Sequence, residues 1–207
     1  MDIQYFGGNC VRLSNKKATI VIDDNLAAIG GKSVAKAGDI CLYTSTPESA
    51  AANSKITIDG PGEFEVSNIS IQGVAAKAHV DQSGTNATIY KIVTDDLRIA
   101  IIGHVYPNLS NTQLEVLGTI DVLCIPVGGN GYTLDPVGAL KLIKDIEPKL
   151  IIPTHYDDKD LSYPVPQQSL EDALKGLMME PAETVAKIKA KHGELGDIAR
   201  LVVLERQ

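Results

Sequence analysis

The sequence predicts a mixed α/β sandwich, and two features of its pattern support this fold class. Over the first two-thirds of the chain, short apolar and β-branched segments are separated by glycine, asparagine, aspartate and proline, which is typical of strands joined by turns. The last third adds a strand–helix–strand unit, whose helix is expected to pack on a sheet. Strand clusters followed by late helices favour an α/β (α+β) sandwich over a doubly wound parallel sheet.

The predicted strands share a run of apolar or β-branched residues bounded by turn residues. Residues 95–97 separate two of these runs so closely that they predict a hairpin. Strands are predicted at residues 3–6, 10–13, 19–22, 39–43, 56–58, 69–74, 88–94, 98–102, 122–127, 150–152 and 200–205.

The clearest predicted helix is defined by its ends. Asp135 as N-cap, with Pro136 in the first turn, starts it, and apolar residues at helical spacing continue it until Glu147 and Pro148. Shorter helices are predicted at residues 112–117, 168–178 and 182–191. His192 is then expected at the exposed end of the last helix, where a cation interacts favourably with the helix dipole.

The composition is that of one domain covering residues 1–207. A chain of 207 residues with 44% hydrophobic content can form one substantial core, and a second core is not expected at this length. The cysteines Cys10, Cys41 and Cys124 lie in or beside apolar segments, which predicts buried, reduced thiols.

Charge and hydropathy argue against two kinds of partner. The net charge is −7 and lysine and arginine form no cluster, so we expect neither nucleic acid nor an anionic membrane surface as a partner. No apolar run approaches the roughly 20 residues of a membrane span. The first residues lack the pattern of a signal peptide, so a cytoplasmic location is expected. A homo-oligomer is left open.

Several short segments match, in a fixed order, the landmarks of a known family: residues 5–13, 19–24, 60–66, 125–129, 132–135 and 151–156. In this order they resemble the lactonase-like branch of the metallo-β-lactamase-fold hydrolases. The resemblance implies a four-layer αββα sandwich with an active site at one edge, where loops from both sheets meet. It also implies hydrolysis, in which metal ions polarise an acyl or phosphoryl group and activate water.

The loop that supplies most metal ligands in that family is altered in this sequence. The family pattern there is Thr/Ser-His-x-His-x-Asp-His. The matching positions in this chain are Ser45, Pro47, Ser49 and Ala50. Because none of these side chains is a good ligand for zinc, the usual pair of metal ions is not expected.

Three histidines occupy other positions at which the family has metal ligands. The resemblance places His79 after the long middle strand, His104 where the family has a bridging aspartate, and His155 at the last metal histidine. These three imidazoles predict one Zn²⁺ ion at most. The alternative is that they make structural hydrogen bonds at strand ends. Asp24 and Asp81 are the candidate catalytic carboxylates, and each of them, or Glu48, is also a candidate for orienting or completing a metal site.

Two functions follow from these residues. The first is a metal-dependent, hydrolase-like protein with one altered metal site, in which a cleft carboxylate transfers the proton. The second is a catalytically inactive protein whose cleft binds a small ligand or a protein partner. Residues 163–166 are expected either to cover the cleft or to form contacts between copies of the chain.

Overall fold

The computed structural model describes residues 1–47, 53–80, 86–95 and 97–207. Its strands, numbered in chain order, are β1 Asp2–Gly7, β2 Cys10–Ser14, β3 Thr19–Ile22, β4 Ile40–Leu42, β5 Ile56–Ile58, β6 Gly62–Val66, β7 Ile69–Ala76, β8 Ala87–Thr94, β9 Leu97–Ile101, β10 Val122–Pro126, β11 Leu150–Thr154, β12 Pro181–Val185, β13 Ile188–Lys189 and β14 Arg200–Leu204. The α-helices are α1 Asn111–Leu117, α2 Pro136–Ile146 and α3 Leu170–Leu177. Short 3₁₀ helices lie at Leu26–Ile29 and His192–Glu194.

The strands form two sheets that share one hydrophobic core. Within the described residues, one sheet has the order β13-β1-β2-β3-β4-β5 and the other β12-β14-β11-β10-β9-β8-β7-β6. Along β1, side chains alternate in burial, and Ile3 and Tyr5 are fully buried. They belong to the same cluster as Ile71 and Ile99 of the second sheet. The predicted mixed α/β sandwich is therefore confirmed.

The second sheet changes from antiparallel to parallel pairing at β9. Strands β6 to β9 form an antiparallel meander, whereas β9, β10, β11 and β14 pair in parallel. The helix between two parallel strands, α2, starts as predicted, because the Asp135 side chain accepts a 2.7 Å hydrogen bond from the Gly138 N–H. Parallel strands have their carboxyl ends at one edge, so the loops after β9, β10 and β11 meet there.

The predicted helix at residues 182–191 is wrong, because this segment forms two edge strands. Strand β12 pairs in parallel with β14, and β13 pairs antiparallel with β1. Apolar residues spaced by three, Ala182, Val185 and Ile188, resemble a helical face. Hydrogen bonding to the free edges of both sheets outweighs that weak local preference.

The predicted position of His192 at a helix end is wrong for the same reason. The residue begins the 3₁₀ turn His192–Glu194, and its Nδ1 lies 3.1 Å from the Asp121 carboxylate. None of the helices in the described parts of the chain combines the length and the apolar character that crossing a membrane requires.

Candidate functional site

A cavity of about 430 Å³ lies where the loops of the two sheets meet. Its walls come from the β1–β2 turn, the end of β3 with the following 3₁₀ helix, the loop after β4 and the loops after β9, β10 and β11. The loop after β4, which we call the first loop, contains Ser45, Thr46 and Pro47. The lining residues are Gly7, Gly8, Asn9, Asp23, Asp24, Asn25, Leu26, Ala27, Ala28, Ile29, Ser45, Thr46, Pro47, His104, Tyr132, His155, Tyr163 and Pro164.

Two of the predicted histidines meet in this cavity. The rings of His104 and His155 are perpendicular, at 89°, and their centroids are 4.6 Å apart. The Tyr132 ring lies 5.0 Å from His104 and 5.8 Å from His155, and the Tyr163 ring lies 5.1 Å from His155. The four rings form one aromatic wall, which we call the ring cluster: His104, Tyr132, His155 and Tyr163.

The side chain of His155 is held in one tautomer. Its Nδ1 lies 3.2 Å from the Gln167 Oε1, and the Gln167 Nε2 donates to the Val165 carbonyl, which fixes the direction of the amide. Nδ1 therefore carries the proton and Nε2 keeps a free lone pair. Burial lowers the pKa of His155 to about 4, although the hydrogen bond to Gln167 opposes this shift. The imidazole is therefore neutral at pH 7.

The backbone of His155 is fixed as tightly as its side chain. The residue has a positive φ of 51°, and its N–H donates a 2.7 Å hydrogen bond to the Gly8 carbonyl. A Cβ added at Gly128 would lie 2.0 Å from the His155 carbonyl oxygen and 2.3 Å from the Gln167 Oε1. The glycine-rich loop at residues 128–131 therefore begins with a glycine that the packing of His155 requires.

His104 follows a glycine whose backbone approaches the Thr44 side chain closely. A Cβ at Gly103 would lie 2.1 Å from the Thr44 Oγ1, so only glycine fits before the histidine. The Nδ1 of His104 is buried and has no hydrogen-bond partner among the described residues. Burial lowers the pKa of His104 well below its usual range, and His155 and His79 add to this effect.

The backbone of the third predicted ligand, His79, lies beside that of His104, but His79 is not among the residues that line the cavity. Its N–H donates a 2.7 Å hydrogen bond to the His104 carbonyl. Its imidazole lies beside the chain after β9, with Nδ1 3.4 Å from the Val105 carbonyl and the ring 6.4 Å from that of Tyr106. The structure thus brings together two of the three predicted histidines.

Of the candidate carboxylates, Asp24 lines the cavity. Its Oδ2 accepts hydrogen bonds from the Ser33 hydroxyl at 2.6 Å and from the N–H groups of Val34 and Ala35 at 2.9 and 2.8 Å. Its Oδ1 is buried and has no partner in the described parts of the chain. One oxygen therefore holds the chain after the 3₁₀ helix in place, and the other makes no hydrogen bond to the described residues. The candidates Asp81 and Glu48 lie outside the described residues, as do Ser49 and Ala50.

A buried network of hydrogen-bonded polar side chains, two of which line the cavity, was not predicted from the sequence. The Thr154 hydroxyl donates to the Asn9 Oδ1 at 2.6 Å, and the Asn9 Nδ2 donates to the Asp23 carboxylate at 2.6 Å. The Thr44 N–H and hydroxyl each donate to that carboxylate at 2.7 Å. Burial raises the pKa of Asp23, against the effect of these hydrogen bonds. The only signal in the sequence was a pair of adjacent acidic residues at the end of an apolar strand.

The cysteines play no part in the site. Cys10, Cys41 and Cys124 are buried and free, as predicted. Burial raises the pKa of all three thiols, to about 11 for Cys41 and about 12 for Cys124, so none is a thiolate at pH 7.

The metal site implied by the resemblance can be compared with the residues present. Catalytic zinc sites have three protein ligands and one open position. The cavity holds two imidazoles, and its first loop contributes Ser45, Thr46 and Pro47. In the described parts of the chain, no group of three or more His, Cys, Asp or Glu side chains is placed to hold one ion. These residues do not fit a catalytic metal centre of the usual kind.

Fold and cavity together define a two-sheet α/β protein with one site at the loop edge. The family described as beta-lactamase superfamily domain matches residues 2–155, and the chain belongs to this family. Its fold is that of metal-dependent, hydrolase-like members of the metallo-β-lactamase superfamily.

Curated relatives share shorter segments with the chain. The UPF0173 metal-dependent hydrolase of Enterococcus faecalis is 37% identical over 71 residues, which is 32% of this chain and 30% of the relative. That of Thermoplasma acidophilum is 38% identical over 52 residues, 24% of this chain and 23% of the relative. The matches therefore span less than a third of each relative.

Solved structures match over the whole chain. A protein of Thermotoga maritima, named as a proposed Zn-dependent hydrolase of the metallo-β-lactamase superfamily, has a TM-score of 0.80 at 24% identity. The match covers 100% of this chain and 99% of that one. A proposed metal-dependent hydrolase of Parabacteroides distasonis has a TM-score of 0.66 at 16% identity, over 99% and 93% of the two chains. At these identities the likeness shows the fold alone.

Proposed function

We propose that this protein is a superfamily member with an altered site, in which the cavity binds a small molecule and holds no resident pair of metal ions. The observation that carries the proposal is the position of the histidines: His104 and His155 face each other in the cavity, whereas the His79 ring lies against Val105 and Tyr106. Two imidazoles are one ligand short of a catalytic zinc site.

The first loop supports the same proposal. Ser45, Thr46 and Pro47 line the cavity on the side that supplies most ligands in the family. Neutral hydroxyls and a proline bind zinc far less well than imidazole, thiolate or carboxylate. Asp23, the other carboxylate in the cavity wall, already accepts hydrogen bonds from Asn9 and Thr44. It is therefore not a free ligand.

The cavity itself supports binding of a small molecule. Its volume of about 430 Å³ is within the range of roughly 300–1,000 Å³ that is usual for ligand sites. The ring cluster supplies aromatic surface. Two buried polar atoms, His104 Nδ1 and Asp24 Oδ1, have no partner in the part of the chain that the structure describes, and they would supply points for hydrogen bonds. Buried polar groups are normally paired, so these atoms are natural contacts for a ligand.

A second candidate function is a hydrolase with a single Zn²⁺ ion. The free lone pair of His155 Nε2 and the unpartnered Nδ1 of His104 favour it, because neutral imidazole is the usual nitrogen ligand of zinc. Bound there, the ion would supply Lewis-acid activation of water. Asp24 would then be the described carboxylate for proton transfer, with Asp81 as the other candidate. This candidate requires a third ligand, which would be Asp24 of the cavity wall, His79 after its ring turns into the cavity, or Asp81 or Glu48, which lie outside the described residues.

Titration of the purified protein with Zn²⁺ separates the two candidates. Under the first proposal we expect weak binding, and the same weak binding in His104→Ala. The matched control is His192→Ala, which removes a histidine outside the cavity. Stoichiometric, tight binding of one ion that His104→Ala abolishes and His192→Ala keeps would overturn the first proposal in favour of the second.

A further inference from the structure

The charge of the cavity wall limits which ligands it can hold. Among the described residues, the cavity lining includes two carboxylates, Asp23 and Asp24, and neither lysine nor arginine. A phosphate or carboxylate ligand would normally be bound by arginine, lysine, a metal ion or a helix N-terminus. The wall offers no such side chain, and its carboxylates would repel an anion. Charge complementarity therefore favours a cationic ligand.

One of these carboxylates, Asp24, has a buried oxygen without a partner among the described residues. Asp24 is 9% exposed, and its Oδ1 lacks a partner among the described residues while Oδ2 accepts three hydrogen bonds. Leaving a buried carboxylate oxygen unpaired is unfavourable. A donor that carries positive charge would form the strongest hydrogen bond to it.

The aromatic wall suits the same kind of ligand. The half-buried rings of Tyr132 and Tyr163 both line the cavity, on either side of His155 at 5.8 and 5.1 Å. The faces of tyrosine rings attract cations, and ammonium ligands are commonly bound by aromatic side chains. An unpaired carboxylate oxygen and aromatic faces thus occur in one cavity.

We propose that the cavity binds a small organic ammonium ion, whose N–H groups donate to Asp24 and whose charge lies against Tyr132 and Tyr163. This inference rests on the proposed function, because it names the ligand class of the same cavity. A bare divalent metal ion fits less well, since it would need more ligand atoms than the described side chains bring together.

The test compares n-butylammonium, n-butanol and butyrate at pH 7.5, three probes of similar size that differ in charge. Binding is followed by NMR titration of the purified protein, with and without Zn²⁺. We expect n-butylammonium to bind at least about tenfold more tightly than the other two, a difference of about 1.4 kcal/mol. Asp24→Asn should remove this preference, whereas Asp197→Asn, an exposed aspartate outside the cavity, should keep it.

A second variant tests the proposal independently, in case Asp24→Asn does not fold. Tyr132→Leu should weaken the binding of tetramethylammonium, which has the charge but no N–H donor. Tyr106→Leu, outside the cavity, should leave that binding unchanged. Equal or tighter binding of butyrate or n-butanol would overturn the ammonium proposal, as would full n-butylammonium affinity in Asp24→Asn. Butyrate binding only with Zn²⁺ would favour the single-metal candidate instead. Absence of binding by every probe under both conditions would count against the proposed function as well.

Discussion

The imidazole rings of His104 and His155 meet edge to face with their centroids 4.6 Å apart, although they follow two strands that are not neighbours. His104 comes after β9 and His155 directly after β11, and β10 lies between these strands in parallel register. The two loops therefore reach across the end of β10. This geometry places a pair of neutral imidazoles at the loop edge of the sheet, in the wall of the cavity.

The packing at Gly128 gives a first prediction. Gly128→Ala should destabilise the fold by about 1–3 kcal/mol, because the added Cβ would lie 2.0 Å from the His155 carbonyl oxygen, and overpacking of this kind forces backbone shifts. Urea unfolding measures the change. The control Gly196→Ala places its Cβ where no atom lies within 4 Å, and it should have little effect. Equal stability of both variants would contradict this view of the His155 backbone.

The buried hydrogen-bond network of Thr154, Asn9 and Asp23 gives a second prediction. Asn9→Ala removes the acceptor of the Thr154 hydroxyl and one of the three donors to the Asp23 carboxylate, which keeps its two hydrogen bonds from Thr44. A buried group left unpaired costs about 1–3 kcal/mol. Thr154→Val removes a single hydrogen bond and takes the donor from the Asn9 Oδ1, while the Asn9 Nδ2 still donates to Asp23. We therefore expect Asn9→Ala to lower the free energy of unfolding by more than Thr154→Val. Chemical denaturation at pH 7 measures both values. If Thr154→Val were the more destabilising variant, these hydrogen bonds would not contribute to stability as described.

The ion pairs of Asp121 predict a dependence of stability on pH. Burial alone would raise the pKa of this carboxyl, but hydrogen bonds and charge from Arg98, together with His192, outweigh it and lower the pKa below 3.8. Because the folded state has the lower pKa, the stabilisation is complete well above 3.8. It is lost as the pH falls through that value towards the folded pKa.

Asp121→Asn tests this directly. The difference in unfolding free energy between the natural protein and this variant should be largest near neutral pH and should shrink below about pH 4. Urea unfolding at a series of pH values measures it. Asp197→Asn, at an exposed site, serves as the control and should show no such trend. A difference that stays constant from pH 7 to pH 3 would argue against a lowered pKa of Asp121.

Most of the fold could be predicted from the sequence because its signals are local. Turn residues bound nearly every strand, and the Asp135 cap with Pro136 marks the start of α2. The segment at residues 182–191 could not be predicted, since its strands depend on pairing with β1 and β14, which are far away in the chain. Edge pairing of this kind leaves little trace in local composition.

The site was less accessible to prediction. His104 and His155 were identified by their places in the family pattern, and the structure brings them together. The direction of the His79 ring depends on its contact with Val105 and could not be read from the pattern. The link between Asn9 and Thr154 joins residues 145 positions apart, so no local signal reports it.

We propose that the cavity holds no resident pair of metal ions. Elemental analysis of the protein, expressed in zinc-supplemented medium and purified without chelator, measures this most directly. We predict well under one equivalent of zinc, iron or manganese per chain, unchanged in His104→Ala. Two tightly bound ions per chain would contradict the account.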